Sequence, residues 1–130
     1  MKALWKTLLV CGFGSLAMHA QAQPADRTVG VTISCSCDDA AGKAYVDAVR
    51  NNMVKDGHFQ QMSLQEGAEK GAILVNIISM QVESTDGKPH SVLSIVYSHD
   101  GVMVHQFIET CPHLTVEECA MNMVRDLKTI

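Results

Sequence analysis

An apolar run from Ala72 to Val82, A-I-L-V-N-I-I-S-M-Q-V, determines which architectures this chain can adopt. The run is rich in β-branched residues, and charged and glycine residues flank it on both sides, so it predicts a strand rather than a helix. Over its first half, alternate residues are apolar on both faces of the strand. We therefore expect an interior strand that is covered on two sides over at least that half.

The first 22 residues have the composition of a cleaved export signal. Lys2 and Lys6 precede an apolar stretch from Leu8 to Met18, and Ala20-Gln21-Ala22 supplies the small-x-small pattern that signal peptidase requires. The apolar stretch is too short to span a hydrocarbon layer of roughly 30 Å. We expect cleavage after Ala22, no membrane insertion, and a single mature domain over 23–130 in the periplasm.

Periodicity and turn residues predict five further elements around the central strand. They are a strand over 28–34, a helix over 40–55, strands over 91–98 and 102–110, and a helix over 116–127. Gly57 suits the left-handed position that ends a helix, and Asp100-Gly101 is typical of a two-residue hairpin turn. Ser63 and Glu66 have capping-box spacing, which is compatible with a further short helical turn.

These elements predict one α/β (α+β) domain, a two-layer sandwich of order β-α-β-β-β-α. Two helices would cover one face of a four-stranded mixed sheet, with the first two strands parallel and the last three antiparallel. The order of elements, with the export signal, resembles small envelope adaptor domains such as the N-terminal domain of TolB-type proteins. Its helix–three strands–helix core also resembles double-stranded-RNA-binding domains, but the acidic chain has no lysine-rich helix start. Neither resemblance implies roles for particular residues.

The charge balance restricts the classes of partner. The whole chain carries 14 acidic and 10 basic residues, and loss of Lys2 and Lys6 with the leader leaves eight basic residues, a net charge of −6 with histidine neutral. Such a surface repels polyanions, which disfavours nucleic acid and anionic lipid as partners. A protein partner, of basic character, is the better expectation.

Four cysteines follow the leader, namely Cys35, Cys37, Cys111 and Cys119. An even number of cysteines in a small exported domain predicts two disulfides. Residues two apart on an extended strand have Cα atoms close to the disulfide limit of about 7 Å, which disfavours a bond from Cys35 to Cys37. We therefore expect one bridge from the Cys35-Ser36-Cys37 segment to Cys111 and another to Cys119. The alternative is that these thiols, with His113, bind a soft metal or take part in thiol chemistry.

The sequence contains no motif that predicts catalysis or a bound cofactor or metal. Ser98-His99-Asp100 includes the residue types of a catalytic triad, but consecutive residues across a turn do not converge as triad members do. A phosphate-binding glycine loop, H-E-x-x-H and G-x-S-x-G are all missing from the sequence. We expect a non-enzymatic protein that binds no cofactor.

Two turns are the candidate interaction surfaces, because exposed loops on a rigid sheet commonly carry recognition. The candidate residues are Asp86, Lys88 and His90 in one turn, and Ser98, His99, Asp100 and Gly101 in the other. An inhibitor or immunity-type protein, or an envelope adaptor, fits the size, export signal and acidity of the chain. A Cys/His metal-binding or thiol-active periplasmic protein is the alternative.

Overall fold

The structure is a computed structural model that describes residues 28–130; the predicted leader and its cleavage site lie outside these residues. The strands are β1 (Val29–Cys37), β2 (Phe59–Gln61), β3 (Ile73–Glu83), β4 (Pro89–His99) and β5 (Val102–Pro112). The helices are α1 (Ala40–Asp56), α2 (Leu64–Lys70) and α3 (Val116–Leu127), and a 3-10 turn over His113–Thr115 precedes α3.

The strands form one mixed sheet in the order β2-β1-β3-β4-β5. β1 runs parallel to both β2 and β3, whereas β3, β4 and β5 form an antiparallel meander. The predicted α+β class is confirmed, as are the parallel pairing across the first helix and the meander that follows it. The interior position of the 72–82 strand is confirmed as well, because β3 lies between β1 and β4.

The prediction of four strands was wrong, because β2 adds a fifth strand at the edge next to β1. β2 has only three residues, and Val29 to Val31 pair with Phe59 to Gln61. Three residues give too short a pattern to distinguish a strand from a loop. The short helical turn expected from the Ser63–Glu66 capping-box spacing is confirmed as α2. The Ser63 hydroxyl caps this helix and accepts a hydrogen bond from the Glu66 N–H at 3.2 Å.

The core lies between one face of the sheet and the two long helices. Val75, Ile77, Leu93, Ile95 and Tyr97 from β3 and β4 are at most 1% exposed, and they form one cluster with residues of α1 and α3. The helices supply Tyr45, Val46, Ala48, Val49, Met53, Cys119, Ala120, Met123, Val124 and Leu127 to that cluster. The spacing of these residues is that of amphipathic helices, which explains why both helices lie on the same face.

The other face of the sheet is covered only beside β1, where α2 packs. The Thr32 hydroxyl donates to the Ser63 carbonyl at 3.2 Å, and a Cβ at Gly67 would collide with the Thr32 side chain. Farther along the sheet, Ile78 and Met80 of β3 are 56% and 63% exposed. Coverage on both sides is therefore limited to the first half of β3, the half for which it was expected.

We call this uncovered surface the open face. It consists of Leu74, Asn76, Ile78, Met80 and Val82 of β3, His90, Val92, Ser94, Val96 and Ser98 of β4, and Met103, Gln106, Ile108 and Thr110 of β5.

An irregularity in β5 places one apolar residue differently from the simple alternation. Tyr97 pairs with His105 but Ser98 pairs with Met103, so Val104 has no opposite residue in β4. Such an extra residue reverses the alternation beyond it. Met103 therefore lies on the open face, 59% exposed, whereas uninterrupted alternation would place it on the face of Phe107.

Within residues 28–130, no helix is both long and apolar enough to cross a membrane.

Candidate functional site

A buried polar cluster joins the start of α1 to the ends of β3 and β4. Asp39 caps α1, accepting a hydrogen bond from the Gly42 N–H at 2.9 Å. Its carboxylate also accepts hydrogen bonds from the hydroxyls of Ser79 and Ser91, the latter at 2.5 Å. A Cβ at Gly42 would collide with the Ser79 side chain, so glycine is needed for this close approach. By sequence, either Asp38 or Asp39 suits the cap position before this helix, and the structure uses Asp39; Ser79 and Ser91 carry no local sequence signal.

The hydrogen bonds to Asp39 determine its ionisation. Burial raises the pKa of the carboxyl, but the hydrogen bonds from Ser79, Ser91 and the Gly42 N–H outweigh burial, so the pKa lies below its ordinary value of 3.8. Asp39 is therefore a buried carboxylate that hydrogen bonds keep in its charged form.

His113 extends the cluster towards the surface, with Nε2 at 3.4 Å from the Ser91 hydroxyl. Aspartate, serine and histidine are the residue types of a catalytic triad, but the order differs, because here serine lies between the other two. The Ser91 hydroxyl donates its one proton to Asp39, and the residue is 1% exposed. In this arrangement the hydroxyl is neither activated by the imidazole nor accessible to a substrate. The cluster therefore fixes α1 and the 3-10 turn against the sheet.

The disulfide pairing differs from the expected one. Cys35 pairs with Cys37, with Cα atoms 5.4 Å apart, and Cys111 pairs with Cys119, with Cα atoms 6.2 Å apart. The expected cross-bridges to the Cys35-Ser36-Cys37 segment were therefore wrong. The spacing at the end of β1 is shorter than that of a fully extended strand and lies within the range that a disulfide accepts. No group of three or more potential metal ligands lies together in the described part of the chain.

The Cys111–Cys119 disulfide closes a loop that we call the 111–119 loop. It contains the end of β5, the 3-10 turn and the first turn of α3. Leu114 is at its tip with 94% of its surface exposed, whereas both cysteines are buried. Thr115 does not use its side chain to cap α3 and instead donates to the Pro112 carbonyl at 3.3 Å.

The predicted interaction turn around Asp86 lies directly beside this loop. A groove of about 530 Å³ separates the two and is lined by Asp86, Lys88, Pro89 and His90 on one side and Pro112 to Thr115 on the other. The Asp86 carboxylate accepts from the Lys88 N–H at 3.2 Å and lies 3.4 Å from the Lys88 ammonium. His90 donates through Nδ1 to the Lys88 carbonyl at 3.0 Å. The turn is thus ordered by its own polar groups, and the groove beside it is mainly apolar.

The second predicted turn lies at the opposite end of the sheet. β4 separates Pro89 from His99, so the two turns are roughly 35 Å apart at the usual rise of an antiparallel strand. Asp100 and Gly101 have φ of 50° and 76°, as a two-residue hairpin turn requires. His99 donates through Nε2 to the Gly71 carbonyl at 3.1 Å, and Ser98, Asp100 and Gly101 line a cavity of about 290 Å³ against α2. The structure therefore does not bring the two candidate turns into one site.

A second buried polar cluster lies beneath α1 and α3. The Tyr45 hydroxyl donates to the Glu109 carboxylate at 3.3 Å, and the Tyr97 hydroxyl is buried without a hydrogen-bond partner among the described residues. Burial, together with the negative charge of Asp126, raises the pKa of Glu109. Burial also raises the pKa of Tyr45 and of Tyr97, so both phenols stay neutral.

We expect Glu109→Gln to stabilise the domain at pH 7. The pKa of Glu109 is higher in the folded than in the unfolded state, so the folded state binds more protons and wild-type stability falls as the pH rises from about the ordinary value of 4.5. A glutamine at this position does not ionise, so this fall in stability disappears. Its side-chain oxygen still accepts the hydrogen bond from the Tyr45 hydroxyl. Urea unfolding at pH 4 and pH 7 measures the difference in free energy of unfolding between the wild type and the Glu109→Gln variant. We expect this difference only at pH 7. Exposed Glu83→Gln is the control, and equal gains for both variants would contradict the assignment.

Comparison with protein-family models and with curated proteins finds no match to this chain. Among solved structures, the chain is similar to a minor lipoprotein from Acinetobacter baumannii, with a TM-score of 0.46 and 6% sequence identity over 77% of this chain and 92% of that one. It is also similar to PelC, solved as a dodecamer from Paraburkholderia phytofirmans, with a TM-score of 0.43 and 10% identity over 78% of this chain and 87% of that one. At this level of similarity, neither protein bears on the function of this chain.

Proposed function

We propose that this chain is a non-enzymatic periplasmic protein-binding domain whose recognition surface is the 111–119 loop with the turn around Asp86. Export is supported by the leader-like composition of residues 1–22 and by the two disulfides, which form in oxidising compartments. The single observation that carries the binding surface is Leu114, a large apolar side chain that is almost fully exposed on a disulfide-closed loop.

The loop has the properties of a binding anchor. The disulfide limits its motion, so little conformational entropy remains to be lost when a partner binds. A leucine that leaves water for a partner pocket contributes roughly 1.5–3 kcal/mol. The apolar groove beside Leu114 provides a complementary depression for a side chain of the partner.

The charges around this surface support a partner with basic residues. The chain is acidic overall, and Glu117 and Glu118 stand exposed within the 111–119 loop, in the first turn of α3. Complementary charge at the rim of an interface accelerates association. An inhibitor or immunity-type protein and an envelope adaptor both use a rigid surface of this kind, and we propose these two classes together.

The proposal is tested by crosslinking from single positions in living cells. A photo-activated amino acid at position 114 is expected to give adducts with a different protein, whereas the same probe at Leu64, 60% exposed on α2, is not. In the purified complex, Leu114→Ala should weaken binding about 10-fold or more, and Leu64→Ala should have no effect. Equal adducts from both positions, or none from position 114, would contradict the proposed surface.

The Cys35–Cys37 disulfide favours a second candidate function, thiol–disulfide exchange. A bond that closes a three-residue segment stabilises the fold by only about 1.6 kcal/mol, which weakens a purely structural explanation. Both cysteines are half-buried and lie at the end of β1, directly before α1. A partner dithiol would be oxidised to a disulfide while this bond accepts two electrons and two protons. Selective reduction of Cys35–Cys37, with Cys111–Cys119 intact, at the potential of a thioredoxin-type dithiol would support this candidate.

A further inference from the structure

We propose that the open face binds the open face of a second copy of this chain, giving a two-fold symmetric dimer. This goes beyond the proposed partner surface, which lies at one end of the sheet. Four residues of the open face, Ile78, Met80, Met103 and Ile108, are between 56% and 70% exposed. No described element packs over them.

The open face contains no Asp, Glu, Lys or Arg, although 18% of the chain is charged. The charged residues of β3 and β5 are Glu83, which ends its strand, and Glu109, which is paired with buried Leu93 and hydrogen-bonded to Tyr45 on the helix side. Exposed sheet faces of monomeric proteins are ordinarily polar. A surface that lacks charge in an acidic chain is therefore suited to contact with protein and poorly suited to water.

The same distribution of charge favours a second copy as the occupant. Two acidic molecules repel each other unless their contact surfaces leave the charges outside the interface. Two open faces meet this condition, since each is neutral and the acidic groups lie on the helix side, at the strand ends and on α2 beside β1, where Lys70 pairs with Glu66. A basic partner, in contrast, finds no acidic group on this face.

The area is sufficient for a stable pair. β3, β4 and β5 have 11 residues each, so together they span a face of about 37 by 14 Å. The flat area of this face is roughly 500 Å² per copy, and the protruding side chains add further surface. Two copies thus bury at least about 1,000 Å², the lower bound for a specific interface. Sheets that pack face to face lie about 10 Å apart, which suits interdigitated isoleucine and methionine side chains.

The arrangement of residues on the face also fits a two-fold contact. Ile78 and Ile108 flank Ser94 of β4 in one row across the three strands. In a symmetric interface every substitution occurs twice, so one lysine in this row places two charges in the contact. α2 stands over β1, which limits the second copy to β3, β4 and β5.

The test is the mass in solution of the chain expressed with its own leader and purified after export. Sedimentation of the wild type should give a dimer that persists in 1 M NaCl, because no ion pair holds the contact. Ile78→Lys with Ile108→Lys should give a monomer with self-association weakened at least about 100-fold. Val54→Lys with Leu64→Lys, at exposed apolar positions on α1 and α2, should leave the dimer intact.

The melting temperature of each variant shows whether the chain still folds. A wild type that is monomeric at high micromolar concentration would overturn the inference. So would a dimer that survives the Ile78/Ile108 variant, because the contact would then lie elsewhere on the molecule. The position-114 crosslinks to a different protein are unaffected by either outcome, so the two proposals fail separately.

Discussion

Replacing Asp39 by alanine is expected to reduce the free energy of unfolding by about 3 kcal/mol. The substitution removes the cap of α1, which costs roughly 1 kcal/mol. It also leaves the hydroxyls of Ser79 and Ser91 buried without an acceptor, which costs about 1–3 kcal/mol for each hydroxyl before the surrounding side chains rearrange. Urea denaturation at pH 7 measures the loss. Asp38→Ala is the matched control, because Asp38 is exposed and adjacent, and we expect it to change stability by less than about 0.5 kcal/mol.

The pH dependence supplies a second readout of the same carboxylate. The pKa of Asp39 is lower in the folded than in the unfolded state, so its contribution is present above the ordinary value of 3.8 and is lost as the pH falls below that value. Asp39→Asn should retain the hydrogen bonds from Gly42 and Ser91, which share one side-chain oxygen, and lose the bond from Ser79, which donates to the other. If the alanine variant were as stable as the wild type at pH 7, the buried cluster would not stabilise the fold.

Replacing both Cys111 and Cys119 by serine is expected to reduce the free energy of unfolding by about 2–4 kcal/mol. The disulfide closes a loop of nine residues, and its loss frees the unfolded chain while leaving two buried hydroxyls in place of sulfur. Thermal and urea unfolding measure the loss under non-reducing conditions. The 111–119 loop should also lose its rigidity, so binding through Leu114 should weaken in parallel.

The pairing itself is decided by peptide mapping of the oxidised wild type. Fragments that join position 35 to 37 and 111 to 119 are expected. The matched variant, with Cys35 and Cys37 replaced by serine, should lose less stability, because the segment that it opens has three residues. A smaller loss from the Cys111/Cys119 variant than from this one, or fragments joining the two ends of the sheet, would restore the cross-pairing.

Local patterns predicted most of the fold correctly. The periodicity over 40–55 corresponds to α1, and Asp100-Gly101 forms the predicted hairpin, because each signal depends on neighbours within one turn of chain. β2 was missed because three residues carry no periodicity. The disulfides were mispaired because the reasoning assumed a fully extended end of β1, whereas the Cα atoms of Cys35 and Cys37 are 5.4 Å apart.

The candidate site was less predictable, because its contacts join distant parts of the chain. Asp39 was recognised as a helix cap, but its partners Ser79 and Ser91 follow 40 and 52 residues later, and nothing in their own neighbourhoods marks them. The apolar pattern of β3 likewise predicted two covered faces over its first half and did not predict what covers the exposed apolar residues beyond it. A sequence pattern reports that a face avoids water, but not whether the same chain or another molecule covers it.

The cap of α1 also bears on the order in which the chain folds. A 17-residue helix is marginal alone in water, and the carboxylate that caps this one lacks its hydroxyl donors until β3 and β4 are in place. Under the proposed export, the α1 segment emerges well before residue 91. We therefore expect the first helix to consolidate late, together with the meander, once nearly the whole domain has emerged.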